Sequence, residues 1–112
     1  MSRFLERWFN QVATIDRRRT LSADGEPAHT SYLAVPRCRV ENKTRMVRVA
    51  TRGDIDLSGY FYMPAGTDVA VGDKIAEGSL NVDSAAFREV LIVNAQTDMQ
   101  GQPDHVQAGV IG

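Results

Sequence analysis

The sequence predicts an all-β fold, a small antiparallel β-barrel with a short N-terminal amphipathic helix, and three observations predict it. From residue 12 onward, strand-like segments and turn signals alternate at intervals of about 8 to 12 residues, the spacing of a small barrel or sandwich. The apolar β-branched run Val90-Leu91-Ile92-Val93 lies inside Phe87–Thr97, flanked by polar residues. Ahead of these, Phe4, Leu5, Trp8, Phe9 and Val12 recur at helical spacing. With 112 residues the chain suits a single domain, residues 1–112, read as a helix over 1–11 and a barrel over 12–112.

The helix is expected to start at Ser2, whose hydroxyl can cap the first turn, with Glu6 near the positive end of the helix dipole. So short a helix is marginal alone in water, so its aromatic stripe needs a surface to dock on, its own barrel or a neighbouring subunit. From Val12 to Leu21 the pattern turns to alternation, Val12, Thr14 and Asp16 against Ala13, Ile15 and Arg17, which predicts a strand. Asp24-Gly25 and Pro27 then predict a loop through Ser31. Tyr32–Asn42 reads as a strand with Pro36 at an edge or bulge. Met46–Thr51 alternates again, and Asn42-Lys43-Thr44 reads as a hairpin connection between the two. Leu57–Met63 predicts an aromatic strand with Gly59 inside it, ended by Pro64-Ala65-Gly66. Val71-Gly72-Asp73 predicts a turn into a short strand, Phe87–Thr97 the strongest strand, and Gly101 and Pro103 a turn into a last one at about His105–Ile111.

Composition narrows function. At 43% hydrophobic and 24% charged, the chain has the make-up of a folded domain. No apolar run approaches the roughly 18 to 20 residues that cross a bilayer as a helix, and Arg3, Glu6 and Arg7 interrupt any signal-peptide core, so no membrane role and synthesis in the cytoplasm are expected. Cys38 is the one cysteine, which excludes an internal disulfide, a thiol-only zinc site and a CxxC redox pair. The net charge of −1 gives no overall pull toward nucleic acid, yet residues 1–56 carry 11 Lys/Arg against 7 Asp/Glu, and residues 57–112 carry 2 against 7. Such halves attract each other, within one chain or between neighbours.

The residue types of catalysis are sparse. His29 falls in a polar loop and His105 after the Gly-Pro turn; both read as structural. A lone Cys38 in an apolar strand behaves as a small hydrophobe, and the serines form neither a GxSxG elbow nor an SxxK pair. Asp54 and Asp56 share a face if they lie on a strand, but the rest of a calcium loop is missing. Arg52-Gly53-Asp54 is a tripeptide of chance, and no glycine run forms a phosphate cradle. Arg17-Arg18-Arg19, with Arg37, Arg39, Lys43, Arg45, Arg48 and Arg52, can face DNA phosphates or bridge to neighbouring acids, and a strand divides such charges between two faces. No enzyme, cofactor or metal site is expected; the chain reads as a domain that acts by binding.

Three stretches, Arg17–Gly25, Pro36–Lys43, and Tyr62-Met63-Pro64 with Asp68-Val69 and Val71–Ile75, together with Asp98, Gly101 and His105, resemble the head-closure or stopper proteins of tailed bacteriophages. The resemblance spans most of residues 12–111; the aromatic N-terminus and Glu77–Ala86 have no counterpart in it. It implies a structural virion protein of the neck. Such a protein forms a homo-oligomeric ring below the portal and adaptor, retains packaged DNA, and offers the tail an attachment platform. The implied partners are copies of itself, portal or adaptor and tail proteins, with non-specific contact to packaged DNA. Subunit and neck contacts are expected at Trp8, Phe9, Arg17, Arg18, Arg19, Arg45, Arg48 and Arg52, and the channel plug at either Leu21–Ser31 or Asn42–Gly59. Two other readings stand beside it: a tail-completion or tail-terminator protein, and a small barrel that binds single-stranded nucleic acid by stacking bases on Tyr60 and Tyr62.

Overall fold

A computed structural model describes residues 9–49, 53–78, 86–97 and 99–112 of the chain. Ten strands follow in order: β1 (Gln11–Arg17), β2 (Thr20–Leu21), β3 (Pro27–Ala28), β4 (Ser31–Glu41), β5 (Arg45–Val49), β6 (Gly53–Leu57), β7 (Gly59–Pro64), β8 (Lys74–Glu77), β9 (Arg88–Thr97) and β10 (Pro103–Ile111). Six of them close an antiparallel barrel in the order β1-β4-β7-β10-β9-β8, while β2–β3 and β5–β6 form two separate two-stranded ribbons.

Period-two alternation fills the barrel. Ala13 and Ile15 of β1, Val35, Cys38 and Val40 of β4, Phe61 and Met63 of β7, Ile75 of β8, Val90 of β9, and Val106, Ala108 and Val110 of β10 form one buried cluster. Tyr60 and Tyr62 take the opposite face of β7. There Leu57, Tyr60 and Leu91 form a second cluster, against which Val47 and Ile55 of the β5–β6 ribbon pack. The ribbon therefore lies against the outer wall of the barrel. Gly109 makes that seat possible: a Cβ there would lie 2.8 Å from Leu57 Cδ1.

Several sequence expectations change. The helix over residues 1–11 falls mostly on 1–8, outside the described residues; of its remainder, Phe9 and Asn10 are not helical and Gln11 already belongs to β1. Pairing with both β4 and β8 fixes residues 11–17 as strand, which overrides the helical spacing that Val12 completes. The strand expected over Val12–Leu21 ends at Arg17, and the loop before Ser31 contains the short β2–β3 ribbon. Asn42-Lys43-Thr44 does not connect a hairpin: β4 pairs with β1 and β7, and β5 pairs with β6. Leu57–Met63 is two strands, because Ser58 leaves the ladder and gives its N–H to the Val110 carbonyl (2.8 Å). Pro36 does sit at a bulge, since Gln11↔Cys38 and Ala13↔Val35 leave one extra residue on β4.

Candidate functional site

Three surface features of the barrel are candidates for contact with partners. The first is an ionic network at the end of β1. Asp73, fully buried in the turn before β8, accepts hydrogen bonds from the backbone N–H groups of Arg18 (2.9 Å) and Ala70 (2.9 Å) and from Arg19 Nε and Nη2 (3.1 and 2.9 Å). Arg17 and Arg19 also grip Asp68, each at 3.0 Å. Burial pushes the Asp73 carboxyl up, but the Arg19 hydrogen bond and the two backbone donors outweigh it and hold it below its usual value. Arg19, then Arg17, hold Asp68 low as well, and the bond to Asp73 raises Arg19. Arg18 instead bridges to Asp16 (3.0 Å), whose other oxygen meets His29 Nδ1. The expected basic run is thus engaged largely with acids of its own chain. Basic first-half residues meet acidic second-half ones at sequence separations of 49 to 54 residues.

The second feature is the outer face under and beside the β5–β6 ribbon. On the ribbon, Arg45 is exposed, the Arg48 side chain is 82% exposed while pairing with Asp54 (3.1 Å), and Met46 is 66% exposed. Asp54 and Asp56 share the exposed face of β6, with Ile55 between them turned to the barrel, as the sequence spacing predicts for a strand. Beside the ribbon, Tyr60, Tyr62 and His105 form a ladder with ring centroids 6.3 and 6.1 Å apart. Tyr62 reaches Glu41, and burial, then the Glu41 charge, raise its hydroxyl above the usual value. Tyr60 is only 6% exposed, which leaves it no open ring face for a base.

The third feature is an open seam between β4 and β7. These strands pair only over Arg39–Glu41 and Tyr60–Tyr62. Beyond that point lies a cleft of about 400 Å³ whose lining includes Leu33, Val35, Pro36, Pro64, Ala65 and Asp68. Continuing the register would set Arg37 opposite Pro64 and Pro36 opposite Ala65. Neither proline has an N–H to give, and Gly66, at φ 83°, turns the chain away, so the ladder stops there. No motif in the sequence marks this cleft; it arises from two prolines brought together by a long-range register.

Of the predicted contact residues, Phe9 is buried, Arg17, Arg18 and Arg19 lie together in the network, and Arg45 and Arg48 lie on the ribbon. Trp8 and Arg52 lie outside the described residues. Cys38 is fully buried, and burial, helped by the Glu77 charge, pushes its thiol up to about 11. His29 contacts Asp16 and the Tyr32 ring (4.4 Å), while the nearby Ser31 hydroxyl accepts a hydrogen bond from Arg17 Nε (2.9 Å). His105 Nδ1 lies 2.9 Å from Asp104. Among the described residues no three His, Cys, Asp or Glu side chains converge as a metal site.

Fold and surface together define a small closed antiparallel barrel carrying an external ribbon, an ionic end and an open seam. The chain matches no protein-family model and no curated protein.

Proposed function

We propose that this chain is a structural component of a tailed-bacteriophage head-to-tail connector. In this reading it assembles as a ring below the portal or adaptor, closes the head over packaged DNA, and presents the platform to which the tail attaches. It acts through surfaces, without catalysis or a cofactor. The observation that carries the reading is a closed six-stranded barrel with a ribbon, β5–β6, outside its wall. A ring subunit needs a rigid body to pack against its neighbours and a projection to reach the channel or the next ring.

The segments that resemble stopper proteins fall on the barrel body: Pro36–Lys43 covers the second half of β4 and the chain leaving it, and Tyr62-Met63-Pro64 with Asp68-Val69 and Val71–Ile75 cover the end of β7 and the turn into β8. Between the two candidate plugs, the ribbon favours Asn42–Gly59. Its paired strands are five residues long, against two in β2–β3, and it carries exposed Met46 and Arg48. Contacts made by arginines on this surface set register and encounter rate between subunits more than raw affinity.

The test is direct. Mass spectrometry of purified virions should detect the chain, and a cryo-EM reconstruction of the neck should hold its barrel in a ring. A particle without it, or a neck density that cannot accommodate the barrel, would overturn the reading. Placement at the tail tube would assign it instead as a tail-completion or tail-terminator protein.

A further inference from the structure

We infer that Arg88 is the receptor for a carboxylate group that enters the barrel at the end where β9 begins, supplied by a small free carboxylate or by an acidic side chain of a second copy of this chain. The site goes beyond the ring reading and does not depend on it.

Arg88 opens β9, pairs with Ile75 of β8, and lies on the same face of its strand as Val90, the face that fills the barrel. Its guanidinium turns inward, over the ring of the buried Phe61 at 5.3 Å. Two glycines make room for it. A Cβ at Gly59 would lie 3.2 Å from Arg88 Nη1, and one at Gly112 would lie 3.4 Å from Arg88 Cγ. The side chain is thus half-buried across the barrel mouth, in a slot of backbone and aromatic surface.

The slot lacks a counter-charge. Arg17, Arg18, Arg19 and Arg48 each hold a carboxylate within 3.1 Å, whereas Arg88 holds none among the described residues. Its one hydrogen bond to a described residue goes to Ser58 Oγ at 3.4 Å. Glu77, two positions beyond Ile75 on β8, is the acid whose charge reaches it, but Gln11 Nε2 already holds Glu77 Oε1 at 2.7 Å. Gln11 is fixed in turn by the Val40 N–H, which its Oε1 accepts (2.9 Å). Burial holds the guanidinium below its ordinary value, and the Glu77 charge offsets this only in part.

A guanidinium carries five N–H donors in a planar fork that matches the two oxygens of a carboxylate. Arg88 keeps most of that fork without a described acceptor, and a partly desolvated cation of this kind favours an incoming anion. Glu77 restricts the choice to a single negative charge, since a doubly charged phosphate would meet stronger repulsion from it.

The test follows the Arg88 Nε–H resonance of the full chain by NMR, assigned through its loss in Arg88→Lys, while sodium acetate replaces sodium chloride at fixed ionic strength and neutral pH. The expected result is a saturable shift in the wild type, with acetate bound about threefold more tightly in Glu77→Gln, where a nearby like charge is gone. In Arg88→Lys, read at the Gly59 and Gly112 amides, affinity should fall at least about tenfold, because a point charge replaces the fork. Sedimentation equilibrium distinguishes the two sources. A carboxylate from a second copy makes the mean mass fall both in acetate and in Arg88→Lys, and a free one leaves it unchanged. An Arg88 resonance that does not respond to acetate, together with a mean mass that neither acetate nor Arg88→Lys alters, would overturn the inference. Equal acetate affinity in wild type and Arg88→Lys would overturn it as well.

Discussion

Asp73 is a buried carboxylate with four hydrogen-bond donors around it, and it ties the turn before β8 to the end of β1. Removing such an acceptor leaves a guanidinium and two backbone N–H groups without their partner. Because Arg19 is about one-third exposed, water recovers part of the loss. Asp73→Ala should cost about 2–4 kcal/mol, read as a lower urea midpoint at neutral pH. The pH dependence has a definite sign. Folded Asp73 and Asp68 titrate below their usual value of 3.8, so their contribution is fully present above that value and is lost as pH falls through their lower, folded values. Urea melts between pH 6 and pH 2 should fall away mainly below about pH 4, less steeply in Asp73→Asn; an equally steep fall in that variant would dissociate the network from acid stability. The sequence displayed Arg17-Arg18-Arg19 plainly, but not their acids. Asp68 and Asp73 lie about fifty positions away, and only the closing of the barrel at β1–β8 brings the two groups together.

Among the elements, the strands that fill the barrel were the easiest to read from sequence. β4, β9 and β10 follow Tyr32–Asn42, Phe87–Thr97 and His105–Ile111 to within two residues, because alternation and turn residues report a half-buried strand directly. Partner choice was not legible. Proximity in sequence made Asn42-Lys43-Thr44 look like a hairpin turn, whereas β4 pairs with β1 on one edge and, over Arg39–Glu41, with β7 on the other, and β5 turns to β6. The seat of that ribbon depends on two close approaches. At Gly59 a Cβ would lie 2.6 Å from the Glu41 carbonyl oxygen, and at Gly109 it would lie 2.8 Å from Leu57 Cδ1. The first obstacle is backbone and the second is the end of a side chain that can shift. Both Gly59→Ala and Gly109→Ala should destabilise by about 1–3 kcal/mol, Gly59→Ala more, as read by thermal melting. In Gly109→Ala the loss should appear first at the ribbon. In the native protein, hydrogen exchange followed by mass spectrometry should show β5–β6 exchanging before β1, β7 and β10, since each ribbon strand has one partner and each barrel strand has two.

At the scale of the whole molecule, the expected barrel is present, closed by β1 pairing with both β4 and β8. Its interior was legible because apolar residues on alternate positions must face inward somewhere. The cleft was not, since Pro36 and Pro64 lie 28 positions apart and only the register of β4 on β7 sets them near one another. The function proposed for the chain inherits this asymmetry: the body of a ring subunit can be read from sequence, while the surfaces that join subunits emerge only from the folded chain.

Those two prolines carry one more consequence. A barrel that closed fully would offer no edge, and one left open by an ordinary strand would expose a row of donors able to template a growing cross-β stack. Here β4 is unpaired toward β7 before Arg39 among the described residues, and neither Pro36 nor Pro64 can give an N–H, which leaves an apolar cleft while frustrating extension of a sheet from chain to chain. Pro36→Val should restore a donor on β4 and raise the rate of thioflavin-positive aggregation at high concentration; an unchanged rate would show that the prolines do not guard the seam. Two prolines far apart in sequence thus keep an open stretch of strand from serving as a template for fibre growth.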